Sequence, residues 1–266
     1  MTMARLKLGI VAESTGLALR PALEEAARMA VAGVQVDAVG DIAPGRLGDT
    51  GRREFRNLLR SFTLELSALN CPLRRGLDCA EDQQPRLEHI RKVMQLAFDL
   101  GARKVVLPIP KLPEDEDKVR SQLLRESLLA LGPYGDRIGC LVAFEVGYDS
   151  AEKVRDYLAT FNTGSLKINY DPASMLVNGH DPLATLAGLK GWLAHVHARD
   201  ARAATVSRGS QEVALGAGDI DWMAFTATLQ VIEYEGFVAV ERETGQSRLA
   251  DVANGVKFLR RFLTPG

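Results

Sequence analysis

Hydrophobic and polar positions along the chain alternate between two rhythms. Short, nearly continuous apolar runs cover residues 6–12, 34–38, 64–73, 104–109, 140–146, 166–171, 192–197 and 237–241. Runs of this length without strict alternation suit parallel strands covered on both faces. Between them lie stretches with helical spacing. Leu23, Ala26, Ala27 and Ala30 follow Pro21, and Phe55, Leu58, Leu59 and Phe62 stripe residues 49–62. Leu87, Ile90, Val93, Met94, Ala97 and Leu100 form a long stripe that Gly101 closes. The acidic run 113–117 opens a helix expected to stop at Gly132-Pro133, and Asp149 with Glu152 has capping-box spacing for a helix over 149–161. A short helix is expected over 182–189, another after Asp219 or Asp221 through Trp222, Phe225, Leu229 and Ile232, and a last one along Leu249, Val252, Val256, Leu259 and Leu263.

Eight strand–helix units with no Pro-, Gly- or Ser-rich linker predict an α/β protein, a single (β/α)8 TIM barrel over residues 1–266. A doubly wound open sheet is the competitor. No Gly-x-Gly-x-x-Gly follows the first strand, which weakens its nucleotide-binding form.

The barrel reading gives the strand ends a chemical meaning, because C-terminal strand ends form the working face of such barrels. Glu145, Asp171, His197 and Glu241 all stand late in their strands. The first three are evenly spaced, 171 − 145 = 26 and 197 − 171 = 26, about one strand–helix unit each. Inward parity places Ala143, Asn169, His195 and Ala239 beneath them. Any one of these four has an ordinary account as a solvated loop carboxylate or a core histidine. Together, on successive strands, three carboxylates and an imidazole make a hard, oxygen-rich set for one divalent ion. Mn²⁺ or Mg²⁺ suits it best, with Co²⁺ and Zn²⁺ as alternatives.

Composition narrows the partners. Hydrophobic residues are 46% and charged residues 25%, ordinary for a globular protein, and the formal net charge is −1. No basic field exists for nucleic acid or an anionic membrane, and no apolar run approaches a membrane span. Three cysteines, Cys71, Cys79 and Cys140, lack metal spacing and read as reduced thiols, and residues 1–8 show no signal-peptide apolar core. A cytoplasmic protein is expected.

The residues around the strand ends resemble the xylose isomerase-like TIM barrels, the sugar phosphate isomerase/epimerase superfamily. Phe144-Glu145, Asn169-Tyr170-Asp171-Pro172, Gly179-His180-Asp181-Pro182, His195-Val196-His197-Ala198-Arg199-Asp200, the run from Leu215 to Trp222, Tyr234-Glu235-Gly236-Phe237 and Val240-Glu241 carry the resemblance. It implies one divalent metal held by Glu145, Asp171, His197 and Glu241. It also implies an isomerase or epimerase in which Glu145 and Glu241 exchange the proton of a sugar, sugar phosphate or related polyol through an enediolate. Substrate contacts are expected from Arg202, Asn169 and His195, and the family implies a homodimer or homotetramer.

Two positions depart from the epimerase pattern: Ser174 stands where those proteins carry a substrate-binding His, and Gln35 then Asp37 end the second strand in place of Glu. Alternatives on the same metal site are an inosose dehydratase-like lyase and a non-catalytic sugar-binding barrel. A three-zinc endonuclease needs more than the four histidines present, and residues 207–214 lack its Asp-x-His pair.

Overall fold

The computed structural model describes residues 6–114 and 116–263. The first five residues, read above for a signal segment, and Asp115 of the acidic run lie outside them. Eight parallel strands close a barrel: β1 (Lys7–Val11), β2 (Gly33–Asp37), β3 (Glu65–Asn70), β4 (Lys104–Pro108), β5 (Leu141–Val146), β6 (Leu166–Tyr170), β7 (Leu193–Ala198) and β10 (Phe237–Val240). Closure runs through pairing of β1 with β10, Gly9 opposite Ala239. A small antiparallel hairpin, β8 (Asp200–Arg202) with β9 (Gln211–Val213), stands outside the barrel sheet.

Around the barrel pack α1 (Leu19–Arg28), α2 (Asp49–Ser61), α3 (Gln83–Leu100), α4 (Lys118–Ile138), α5 (Ala151–Ala159), α6 (Pro172–Val177), α7 (Trp222–Val231) and α8 (Arg248–Leu263). The helix stripes meet the strand exteriors as predicted; Leu23, Ile90, Met94, Leu124, Phe225 and Leu259 are fully buried. No helix among the described residues is long and apolar enough to cross a membrane.

The lumen is layered. At the floor, Phe237 fills the space left by Gly33, where an added Cβ would lie 2.6 Å from the Glu65 carbonyl and 2.7 Å from the ring. Lys7 sits 5.3 Å over that ring and 2.8 Å from Glu65. Small side chains, Ala68, Val106, Ala143 and Ala194, form an apolar cluster of their own. Ser67, Asn169, His195, Gln35 and His197 are buried polar residues of the inward faces. A register irregularity after Ile168 sets Asn169 opposite His195 on β7, which brings these two polar side chains level.

Several helix boundaries differ from expectation. α4 runs through Pro133, although an interior proline costs about 3 kcal/mol. Tyr134 and Ile138 beyond it pack on the core, and Arg91 and Ser165 donate to the carbonyls of Ala130 and Gly132 at 3.1 and 2.7 Å. Gly132 and Gly135 serve close packing there, against Thr163 and Ser165. Ser150, not Asp149, caps α5 by accepting from the Lys153 amide. Asp149 is buried and accepts from the Leu112 amide at 2.6 Å, tying down the loop after β4. The helix expected over 182–189 shrinks to one 3-10 turn, Leu186–Leu189, because α6 starts directly at Pro172 after β6.

Asp200 organises the approach to α7. Its buried Oδ2 accepts from the amides of Gly216 (2.8 Å) and Gly218 (3.2 Å) and from the Trp222 indole (3.0 Å). Asp200→Ala would leave buried donors without acceptors and should cost about 2–4 kcal/mol, read in urea unfolding as a lower midpoint with an unchanged slope. A loss under about 0.5 kcal/mol, the size of an ordinary surface change, would refute this role.

Candidate metal centre

Parallel strands bring their C-terminal ends to one rim. Glu145 lies in β5, His197 in β7, and Asp171 and Glu241 each stand one residue past their strands. One donor atom each from Glu145, Asp171 and His197 comes within 4.8 Å of the others. Glu241 joins through His197, its Oε2 lying 3.0 Å from Nδ1, with Glu145 Oε2 at 3.3 Å.

The imidazole is set by its other nitrogen. Nε2 of His197 lies 2.9 Å from Gln35 Oε1, an acceptor, so Nε2 carries the hydrogen and Nδ1 faces the carboxylates. Asn169 Nδ2 lies 3.1 Å from Nδ1 and 3.4 Å from Glu145 Oε2. Burial opposes charge on His197, but Glu241 and Glu145 outweigh it and raise its pKa well above the ordinary value. Without a metal, a proton fills the cationic place between the two glutamates.

Asp171 is more heavily engaged. Oδ1 accepts from the Ala173 and Ser174 amides, at 2.8 and 3.1 Å, so it also caps α6. Oδ2 accepts from Ser174 Oγ at 3.0 Å and pairs with Arg199 Nη2 at 2.7 Å. Burial pushes the Asp171 carboxyl up to about 6, against the pull of Arg199. Arg199 also pairs with Glu243 and donates to Ser174 Oγ at 2.6 Å. Glu145, Asp171, Glu241 and Glu243 thus share one guanidinium and one imidazole. This excess of anionic oxygen, with Glu241 Oε2 buried and given no neutral donor, fits a divalent cation. Glu145, Asp171 and His197 can hold such an ion.

The expected substrate contacts are placed differently. His195 is fully buried, with Nδ1 3.1 Å from Asn169 Oδ1 and Nε2 3.3 Å from Ser67 Oγ. Burial, then the charges of His197 and Lys104, lowers its pKa well below the ordinary value, so it is a neutral support beneath His197. Its ring stands edge-on to that of His197, centroids 5.4 Å apart. Asn169, also fully buried, links His195 to His197 and Glu145. Arg202 is exposed on the hairpin and donates to the Ala217 carbonyl at 3.0 Å.

The cation that does reach the cluster is Arg199. It continues the parity of His195 and His197, a signal available in the sequence. Glu13 was also missed, because it follows the first strand in the 3-10 turn Ala12–Thr15. Its Oε1 accepts from the Asp37 amide at 2.8 Å, while Oε2 is buried without a hydrogen bond. Burial, then the charge of Asp37, pushes Glu13 up to about 7, and Glu241 contributes as well. Asp37 is raised by burial and steadied by Asn70 Nδ2 at 2.8 Å.

Fold and rim together define a parallel (β/α)8 barrel with a carboxylate–imidazole centre at its strand tips. A family model described as the xylose isomerase-like TIM barrel matches residues 23–262, and the chain belongs to that family. The Bacillus subtilis (strain 168) protein YfiH is 25% identical over 261 residues, spanning 80% of this chain and 82% of its own. A xylose isomerase domain protein from Planctomyces limnophilus superposes with a TM-score of 0.85 at 25% identity, covering 97% of each chain. A D-allulose 3-epimerase from Methylomonas sp. shares the fold at a TM-score of 0.76 and 16% identity, with 98% of this chain and 99% of that one covered.

Two outcomes are expected. His197→Ala should abolish Mn²⁺ binding in calorimetry, while His195→Ala should weaken it or lower the melting temperature; equal loss of binding from both would contradict the arrangement. For Glu13 the sign follows from a folded pKa of about 7 above the ordinary 4.5. The folded state holds this proton more tightly, so stability falls as pH rises from 4.5 to 7, by up to about 3 kcal/mol. In chelator, Glu13→Gln should therefore stabilise the protein more at pH 8 than at pH 5. The reverse order would show that Glu13 carries no such strain.

Proposed function

We propose that this protein is a divalent-metal-dependent isomerase or epimerase acting on a sugar or related polyol, with Glu145 and Glu241 as the acid–base pair. The observation that carries the reading is the approach of both glutamates, through Oε2, to the same imidazole nitrogen, at 3.3 and 3.0 Å. Membership of the family and the likeness to an epimerase of D-allulose support a carbohydrate substrate.

A bound divalent cation would polarise a carbonyl and the neighbouring hydroxyl, acidifying the C–H between them. The protein's own groups do the rest. One glutamate removes the proton to give an enediolate, and one returns it. Return to the opposite face of the same carbon gives epimerisation; return to the neighbouring carbon gives isomerisation.

The hydrogen bonds separate the roles of the carboxylates. Asp171 has both oxygens bonded, which holds its carboxylate in place, suits a ligand role and leaves it poorly suited to carry protons. Glu241 Oε2 is buried, is bonded to no neutral donor, and has the His197 imidazole beside it at 3.0 Å. Glu145 is steadied by Asn169 alone among neutral donors, and burial of its carboxyl is outweighed by His197, which lowers its pKa. It is poised as a base.

With Mn²⁺ and a panel of ketoses and inososes in D₂O, at least one compound should incorporate deuterium next to its carbonyl. Glu145→Gln or Glu241→Gln should slow that exchange by about 10²–10⁴-fold. Absence of exchange across the panel would rule out proton transfer on carbohydrates.

A further inference from the structure

Glu13 stands at the rim yet belongs to neither the metal set nor the acid–base pair. Its carboxylate is anchored through one oxygen, and Oε2 is buried without a partner. Buried polar atoms are rarely left so, and such an orphan calls for an explanation. Asp37, held by Asn70, backs it, and the charge of Glu241 is felt at both Glu13 and Asp37. The tips of β1, β2 and β10 therefore present one acidic wall to whatever occupies the centre.

The positive charges are elsewhere or already spent. Arg199 is divided among Asp171, Glu243 and Ser174, and Arg202 is bonded to the Ala217 carbonyl. Lys111, after β4, is exposed and lines a surface depression with Glu114, Glu116 and Asp117. Arg248 and Lys257 line a cavity of about 870 Å³ between α1 and α8, whose walls include none of Glu13, Glu145, Asp171, His197 or Glu241.

Resting on the isomerase reading, we infer that the substrate is an uncharged polyol, without phosphate or carboxylate, and that Glu13 Oε2 accepts a hydrogen bond from one of its hydroxyls. A hydroxyl satisfies the orphaned oxygen. A phosphate in the same place sets anion against Glu13, Asp37 and Glu241, and among the described residues the neighbouring Arg242 is already paired with Glu212 and Asp251. Glu13 thus acts on specificity in two ways: it attracts a donor and repels an anion.

The test uses the full-length protein with Mn²⁺, titrated by calorimetry with neutral ketoses and inososes and with phosphate esters of the same ketoses. The best neutral compound should bind at least about tenfold tighter than its ester. Glu13→Gln should weaken the neutral compound about tenfold and narrow the gap to the ester, with KM rising more than kcat falls. A merely structural Glu13 would not change the ratio between the two compounds, and thermal melting of the variant checks its folding. An ester binding as tightly as its neutral parent overturns the inference and leaves the isomerase reading standing. A Glu13→Gln affinity within twofold of wild type overturns the role of Glu13. If Mn²⁺ binds but no carbohydrate of either kind does, the isomerase reading itself falls, and this inference with it.

Discussion

The crowding of carboxylates around one imidazole nitrogen is the constraint to which the rest of the molecule answers. Two like charges about 4 Å apart repel by about 4 kcal/mol at an effective dielectric of 20. Several such pairs rival the whole net stability of a domain, about 5–15 kcal/mol. The closed barrel imposes this convergence, because parallel strands deliver every tip to one rim. Arg199, a proton on His197 and raised carboxyl pKa values at Asp171 and Glu13 relieve it in part. A divalent ion would relieve it more fully, and its binding would then be coupled to the release of protons.

The rim is stitched by backbone contacts as well as by charge. Glu212 on the hairpin accepts from the amides of Glu243 and Thr244, each at 2.9 Å, and from the Thr244 hydroxyl. Ser14 Oγ accepts from the Arg242 amide at 2.9 Å, joining the turn that carries Glu13 to the loop that carries Glu241. The segment following Glu241 is therefore held from both sides. The hairpin, which adds nothing to the barrel sheet, earns its place by fixing that loop.

The barrel was legible because its strands are short apolar runs and its helices carry clear stripes, so periodicity located all eight strands and every helix but the sixth. The clustering of Glu145, Asp171 and His197 was legible for a related reason: a polar residue ending an apolar run stands out. What stayed hidden depended on contacts distant in sequence. Pro133 reads as a stop, and only packing of Tyr134 and Ile138 on the core carries α4 past it. Arg202 was the arginine expected to meet a substrate, yet a hairpin invisible to periodicity turns it outward, and Arg199 reaches the cluster instead. His195 lies beneath His197 as parity placed it, where it bonds to Asn169 and Ser67. Glu13 lies just beyond the strand, where alternation no longer reports direction.

The polar residues of the lumen form one continuous crossbeam: Ser67 to His195, His195 to Asn169, Asn169 to His197, and His197 to Gln35. It starts on β3 and ends on β2, crossing β7 and β6 between. Each side chain's orientation is therefore fixed across the hollow of the barrel as well as along its own strand. Because a histidine has only two tautomers and an amide only two faces, the chain can be written in few ways. Its rim end is pinned by Gln35 and the two glutamates, so Ser67→Ala would strip His195 Nε2 of its partner while His197 went on presenting Nδ1 to the rim.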